Sequence, residues 1–397
     1  MIDLRSDLCT VPTEEMWGAM RAAELGWATV GEDRSVNELC ARAAELLGKD
    51  DAVWVPTCGM ANLVGLLTFC EPGDAVVLES SSHVLSSEAM GIVDIARLEP
   101  RSLYAADGRL VPGAVHELLA ETRAPLLVLE NTHTRAGGTV LSVEATRALV
   151  DVAQRHDCRV HVDGARLVNA AVALGVPLAE LVAGVNSVAL SLNKGLSAPI
   201  GAVLAGSAAV VARGRTMLHR LGGATVHRAG IAAAAGLVAL DTMVDRIADD
   251  HRRARELGSR LAMIPGLRLD PETVETNIVL VDVSGTGLTA AELVALLAEA
   301  GAWVMERDAA RVRLVTHRLV TARAEGNTAF MVTKGDANTG VERWSVKADG
   351  RIGRVVTHIP KAGYVRDFFS TRVARLALLA LMLAFGCWVM VDIWRRP

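Results

Sequence analysis

Reactive side chains in this chain collect just past short apolar runs. Lys194 follows "SVALS" (187–191) in "SLNKG", flanked by Ser191 and Asn193 and followed by Gly195. Asp163 closes "RVHVD", with Arg166 a few residues on. Glu130, Asn131 and His133 end "LLVLENTH", and His83 lies in "VVLESSSHVLSSE". After Pro56 the stretch "TCGM" opens a helical pattern, so the amides of Cys58, Gly59 and Met60, with the Thr57 hydroxyl beside them, form a place for a phosphate at a helix N-terminus. A lysine beyond a buried strand is costly without a task, and a Schiff base with a carbonyl cofactor is such a task. An aspartate on a neighbouring strand end could keep a pyridinium nitrogen protonated. Lysine, aspartate and a phosphate cradle together are what pyridoxal phosphate requires. Singly, each residue has an ordinary use: Lys194 as a solvated loop lysine, Asp163 as the cap of the next helix, His83 as a satisfied core histidine. The set in this order points to cofactor chemistry.

The elements that must position these residues alternate. "SVNELCARAAELLG" carries Ser35 and Glu38 in capping-box spacing and closes on Gly48, which reads as a helix. "PTCGMANLVGLLTFC" is a second, with Thr57 to Met60 as its first turn. Strands are expected at 75–79, 126–130, 159–163 and 187–191, with helices between them. Strand, helix, strand at these lengths predicts a parallel sheet wrapped by helices, with its chemistry at the carboxyl edge. A long helical zone (227–264) leads to "NIVLVDV", "TAAELVALLAEAG", "WVMER" and "RVRLVTH", a smaller α+β domain.

Bulk properties narrow the class. With 397 residues, 51% hydrophobic, 22% charged and a net charge of −4, the chain has no clustered basic surface for nucleic acid. Six cysteines without a C-x-x-C pair fit neither a metal site nor a disulfide frame, so no metal is expected and a reducing compartment is. The N-terminus "MIDLRSDLCT" is not a secretory signal. The C-terminal run Leu376 to Val391 is uncharged, with Trp388 and Trp394 available for an interface, and is expected to be a membrane anchor.

"IDLRSD", "VGED.SVNEL", "HVDGARLVNAAVALG", "LSLNKGLSAPIGAVLAGS" and "VRLVTH" resemble the low-specificity L-threonine aldolases, β-eliminating lyases among the fold-type I pyridoxal-phosphate enzymes, over residues 2–317. The resemblance implies an α/β, aspartate-aminotransferase-like large domain (1–250) with its N-terminal segment, then a truncated small α+β domain (251–317). It implies a Schiff base on Lys194, Asp163 at the pyridine nitrogen, His83 stacked on the ring, and Thr57, Cys58, Gly59 and Arg166 among the cofactor contacts. Ser6, Arg166 and Arg313 would bind the substrate carboxylate, and His133 would lie near the substrate hydroxyl. The implied reaction cleaves L-threonine, L-allo-threonine or a related β-hydroxy amino acid to glycine and an aldehyde, with His133, His83 or a water as base. A dimer or tetramer is implied as well. The chain departs from the family pattern in the phosphate turn, where Thr57, Cys58, Gly59, Met60 stand for the usual Ser-Gly-Thr-Met and the threonine side-chain contact is lost, at Val30 and Ser87 where aromatics are usual, and in "GGATVHRAG" (222–230), where His227 or Arg228 would supply the basic contact.

After "VTHR" the resemblance changes. Residues 318–370 resemble the C-terminal part of a type I signal peptidase of the archaeal, endoplasmic-reticulum or SipW-like kind, with His317 and Asp336 at the matching positions and Glu342 as a second acid. The nucleophilic serine that precedes these residues in that family has no counterpart here, so an inactive peptidase-like segment (318–370) and an anchor (371–397) are expected. They would tether a cytoplasmic lyase body to a membrane.

Overall fold

A computed structural model describes residues 2–88 and 91–318, together with the backbone of strands at 322–325, 328–333 and 342–347. The chain divides into two compact units. The larger holds Thr10–Arg252 and Val274–Ile278; the smaller holds the described parts of Met1–Cys9, Arg253–Thr273 and Val279–Pro397.

The larger unit is built on a seven-stranded sheet in the order Asp51–Val55, Ala202–Gly206, Ser187–Ser191, Arg159–Gly164, Leu126–Glu130, Ala75–Glu79, Glu99–Leu103. The four expected strands form where their short, largely apolar runs placed them, because strands covered by helices on both faces favour apolar residues along most of their length. Leu126–Glu130 and Ser187–Ser191 are buried throughout. The sheet is mixed rather than wholly parallel: Ala202–Gly206 runs antiparallel to both of its neighbours. Register sets the carboxyl edge, with Glu130 opposite Asp163 and Asp163 opposite Ala189.

Helices cover both faces. Leu39, Leu47, Leu127, Leu149 and Leu190 lie in one core cluster, and Leu66, Leu78, Ile92 and Val128 in another. Each such side chain taken from water stabilises the fold by about 1.5–3 kcal/mol. Helix Arg34–Leu47 is capped two residues before the expected Ser35: Asp33 is its N-cap, accepting from the Val36 amide at 3.1 Å. Ser35 falls inside the helix, because the buried Asp33 carboxylate also holds the Gly26 amide and anchors the start there. The expected zone from 227 to 264 is two helices, Gly230–Thr242 and Ile247–Leu261.

In the smaller unit Ile2–Asp3 pairs in parallel with Ala302–Trp303, and Arg5 stacks over the Trp303 ring at 4.5 Å. Met305–Asp308, Arg311–Val315 and Ile278–Asp282 form a three-stranded sheet beside helix Ala290–Glu299, whose Thr289 and Glu292 make a true capping box. Ala322–Glu325, Thr328–Thr333 and Glu342–Lys347 form a three-stranded antiparallel sheet. His317 is buried, with Nε2 2.8 Å from the Asp3 carbonyl oxygen and Nδ1 3.1 Å from that of Arg318. It ties the chain after Val315 to the N-terminal strand. Asp336 and the expected anchor over 376–391 lie outside the described residues. No helix among the described residues is long and apolar enough to cross a membrane.

Candidate active site

The carboxyl edge of the large sheet brings Lys194, Asp163, His83, His133 and Arg166 together with the start of helix Cys58–Phe69. Lys194 opens a single helical turn, Lys194–Leu196, at a φ of 57°. That left-handed conformation is uncommon for a residue with a side chain. Its carbonyl accepts from the Thr10 hydroxyl at 2.7 Å, and Ser191 hydrogen-bonds Asn193 on the preceding residue.

Asp163 is fully buried. One oxygen, Oδ1, accepts from the Ala165 amide at 3.1 Å and lies 3.9 Å from the Cys58 thiol. The other, Oδ2, is buried without a hydrogen-bond partner among the described residues. A carboxylate oxygen in that condition is expensive unless a donor arrives. Asp163 is not the cap of the next helix, since helix Leu167–Leu174 has Arg166 at its N-cap position and no side-chain cap.

Helix Cys58–Phe69 is capped by Thr57, whose hydroxyl accepts from the Met60 amide at 3.1 Å. The cap therefore uses the Met60 amide and the Thr57 acceptor, and the amides of Cys58 and Gly59 are those the helix start presents to an anion. A Cβ at Gly59 would lie 2.9 Å from Glu88 Oε1, so the Glu88 side chain approaches the helix start closely here. The Cys58 thiol is held well above its ordinary range by burial and then by the Asp163 charge, so it is a neutral, inert group.

His83 starts the short helix His83–Ser86, with its amide donating to Glu130 Oε2 at 2.7 Å and its Nε2 3.4 Å from Glu88 Oε1. Its imidazole is 36% exposed, which sets it apart from a core histidine. Burial, outweighing the pull of Asp163 and Glu130, lowers its pKa and favours the neutral ring. Arg166 is buried and donates to the Thr134 hydroxyl at 2.9 Å.

His133 is placed differently from the expectation that it could serve as base. Its Nδ1 accepts from the Ala136 amide at 3.3 Å and its Nε2 lies 2.9 Å from Glu79 Oε2. Burial disfavours the charged ring, but Glu79 and Glu130 outweigh it and raise the pKa. The amide beside Nδ1 opposes them, because a backbone N–H has nothing to offer a second N–H. The geometry selects the neutral tautomer with its proton on Nε2. Both ring nitrogens of His133 are thus engaged by protein groups.

Four contributing residues were not singled out from sequence: Glu79, Glu88, Asn62 and His161. Glu79 closes "VVLE" as Glu130 closes "LLVLE", so its strand-end position was a usable signal. Glu88 gave none, since it follows a four-residue helix with no periodicity. Ser6 and Arg313 lie in the smaller unit, where the Ser6 hydroxyl accepts from the Leu8 amide at 3.2 Å and Arg313 donates to the Arg5 carbonyl at 3.2 Å.

The residues present fit pyridoxal phosphate. The unpartnered Asp163 Oδ2 suits a protonated ring nitrogen, the Cys58 and Gly59 amides suit a phosphate, and Lys194 follows the neighbouring strand Ser187–Ser191 at the same edge of the sheet. Sheet, strand-end lysine and aspartate together define a fold-type I pyridoxal-phosphate enzyme. The family model for beta-eliminating lyase matches residues 3–284, and the chain belongs to that family. It is 36% identical over 330 residues to low-specificity L-threonine aldolase 1 of Arabidopsis thaliana, covering 81% of this chain and 92% of that one. It is 37% identical over 271 residues to the low specificity L-threonine aldolase of Escherichia coli K12, covering 66% of this chain and 79% of that one. The structure of a Leishmania major threonine aldolase shares the fold at a TM-score of 0.68 and 17% identity, over 80% of this chain and 94% of that one.

Proposed function

We infer that this chain is a pyridoxal-phosphate-dependent carbon–carbon lyase of the threonine aldolase type, cleaving L-threonine, L-allo-threonine or a related β-hydroxy amino acid to glycine and an aldehyde. The observation that carries this reading is the unpartnered Asp163 Oδ2 on the same sheet edge as Lys194, in a chain related at 36% identity to a threonine aldolase.

When bound, the cofactor supplies a conjugated, electron-poor ring that accepts the electron pair left as Cα–Cβ breaks. Lys194 would hold it covalently and Asp163 would keep its ring nitrogen protonated. The Cys58 and Gly59 amides would take its phosphate. Arg166, pre-oriented by Thr134, offers a fixed guanidinium to the substrate carboxylate. His83 would take the β-hydroxyl proton, because its ring is partly exposed and favours the neutral form, whereas His133 has both nitrogens engaged. Burial of Asp163, Arg166 and His133 excludes water from the floor of the site.

Self-association belongs to the same reading. Leu25, Trp27 and Val30 before helix Arg34–Leu47, and Val226 and Ile231 around the start of helix Gly230–Thr242, are exposed, and Trp27 meets His227 edge-on. These side chains would be covered in a homo-oligomer. The uncharged run from Leu376 to Val391 supports a membrane tether for a cytoplasmic body, which membrane fractionation of the full chain would test.

The decisive experiment is release of glycine and acetaldehyde from L-threonine by the full chain with added cofactor. Activity, together with a visible absorption band lost in Lys194→Ala, is expected. An absorption band without glycine release would reject the aldolase activity, and no band would reject cofactor binding.

A further inference from the structure

A hydrogen-bonded chain of fixed polarity runs through the larger unit behind His83. The Ser187 hydroxyl lies 2.7 Å from His161 Nδ1, and His161 Nε2 lies 3.1 Å from Asn62 Oδ1. Asn62 Nδ2 donates to Glu88 Oε2 at 3.2 Å, and Glu88 Oε1 is 3.4 Å from His83 Nε2. Ser187, His161 and Asn62 are all buried.

The direction of each bond can be assigned from donor chemistry. Asn62 has its amide nitrogen toward the Glu88 carboxyl group, so its oxygen accepts from His161. His161 therefore carries its proton on Nε2 and accepts the Ser187 hydroxyl proton at Nδ1. Burial pushes the His161 pKa down to about 4, which keeps this ring neutral with a single N–H. Gly65 lets the helix approach this closely, since a Cβ there would lie 2.7 Å from His161 Cε1. The consequence falls on Glu88. Asn62 occupies Oε2 whatever the protonation state, which leaves Oε1, the oxygen facing His83, to carry a proton.

We propose that Glu88 is a positioning residue acting through His83, its Oε1 exchanging with His83 Nε2 the proton that leaves the substrate hydroxyl and is returned to the glycine carbon. This deepens the aldolase reading and rests on it. Cleavage breaks the substrate O–H and Cα–Cβ bonds and forms the aldehyde C=O and a Cα–H bond. The proton count of the enzyme is the same before and after, so one proton must be held between the two events. A carboxyl group tuned near neutrality can hold it. Burial first, then the charge of Asp163 and more weakly that of Glu130, push Glu88 up to about 7, with the Asn62 hydrogen bond and Lys194 opposing. The groups facing His83 are Asp163, Glu130, Lys194 and Arg166, and Cys58 borders Glu88 as an un-ionised thiol.

The test compares wild-type holoenzyme with Glu88→Gln and Glu88→Asp. It reads kcat and KM for L-threonine cleavage between about pH 5 and 9, and the ring nitrogen-15 titration of His83 assigned with His83→Asn. In Glu88→Gln the ionisation near 7 should vanish from the kcat profile, kcat should fall at least about tenfold with KM unchanged, and the His83 titration should shift. Glu88→Asp should restore part of each. A Glu88→Gln enzyme with an unaltered kcat profile and an unaltered His83 titration overturns the proposal, as does a change confined to KM. Should Glu88→Gln fail to fold, Asn62→Leu frees Oε2 and must displace the same ionisation and titration; no displacement is again fatal. The His83 titration needs no turnover. A wild-type holoenzyme that releases no glycine therefore defeats the aldolase reading, while an uncoupled His83 defeats the role of Glu88.

Discussion

Glu79 Oε2 and His133 Nε2 lie 2.9 Å apart, and both side chains are only 3% exposed. Glu79 also takes the Ser81 amide and hydroxyl. Burial works against its charge, but His133 and Ser81 together hold the carboxylate at about 2. Glu79→Ala leaves the His133 Nε2–H buried without an acceptor, and a loss of about 2–3 kcal/mol in denaturant unfolding is expected. The pH dependence has a definite sign. A folded pKa below the ordinary 4.5 makes a contribution that is complete above 4.5 and disappears as pH falls toward about 2. Glu79→Gln should flatten the stability curve in that window, and an unchanged curve would count against the pair.

His161 has the opposite chemistry. Its folded pKa of about 4 lies below the ordinary 6.5, so between those values the unfolded chain binds a proton that the folded one refuses. Stability then rises with pH across the window, by at most about 1.4 kcal/mol per pH unit. Urea unfolding of wild type and His161→Gln from pH 4 to 7 should show the slope weakened in the variant.

Asp163 Oδ2 is buried without a hydrogen-bond partner among the described residues, so the charge on Asp163 should matter more to cofactor retention than to folding. A charge-assisted hydrogen bond is worth about 1.5–3 kcal/mol, hence Asp163→Asn should hold pyridoxal phosphate about 10- to 100-fold less tightly in equilibrium dialysis. Retention equal to wild type would remove Asp163 from the ring nitrogen.

Cys58 stands in the phosphate turn with its thiol un-ionised. A hydroxyl at this position would give the phosphate a better donor than a thiol does. Cys58→Thr should therefore tighten cofactor binding about 2- to 10-fold, and Cys58 itself should react with iodoacetamide more slowly than free cysteine. Rapid labelling of Cys58 in the cofactor-free protein would contradict the burial argument.

What the sequence determined by itself is local or nearly so. Strands such as Leu126–Glu130 and Ser187–Ser191 were legible because short, largely apolar runs bounded by polar turns have few alternatives to a covered sheet. Lys194 and Asp163 were legible because each stands immediately beyond such a run. The Thr289 cap shows at the level of four adjacent residues; the start of helix Arg34–Leu47 does not, because the buried Asp33 carboxylate that fixes it also binds the distant Gly26 amide. Tertiary structure decided the rest. Which oxygen of Asp163 stays unpartnered, the engagement of both His133 nitrogens, and the run from Ser187 through His161 and Asn62 to Glu88 depend on residues up to 99 positions apart approaching within hydrogen-bond distance. Hydrogen bonds and charge interactions fall off within a few ångströms, so the protonation of each group follows from distances that spacing along the chain does not contain.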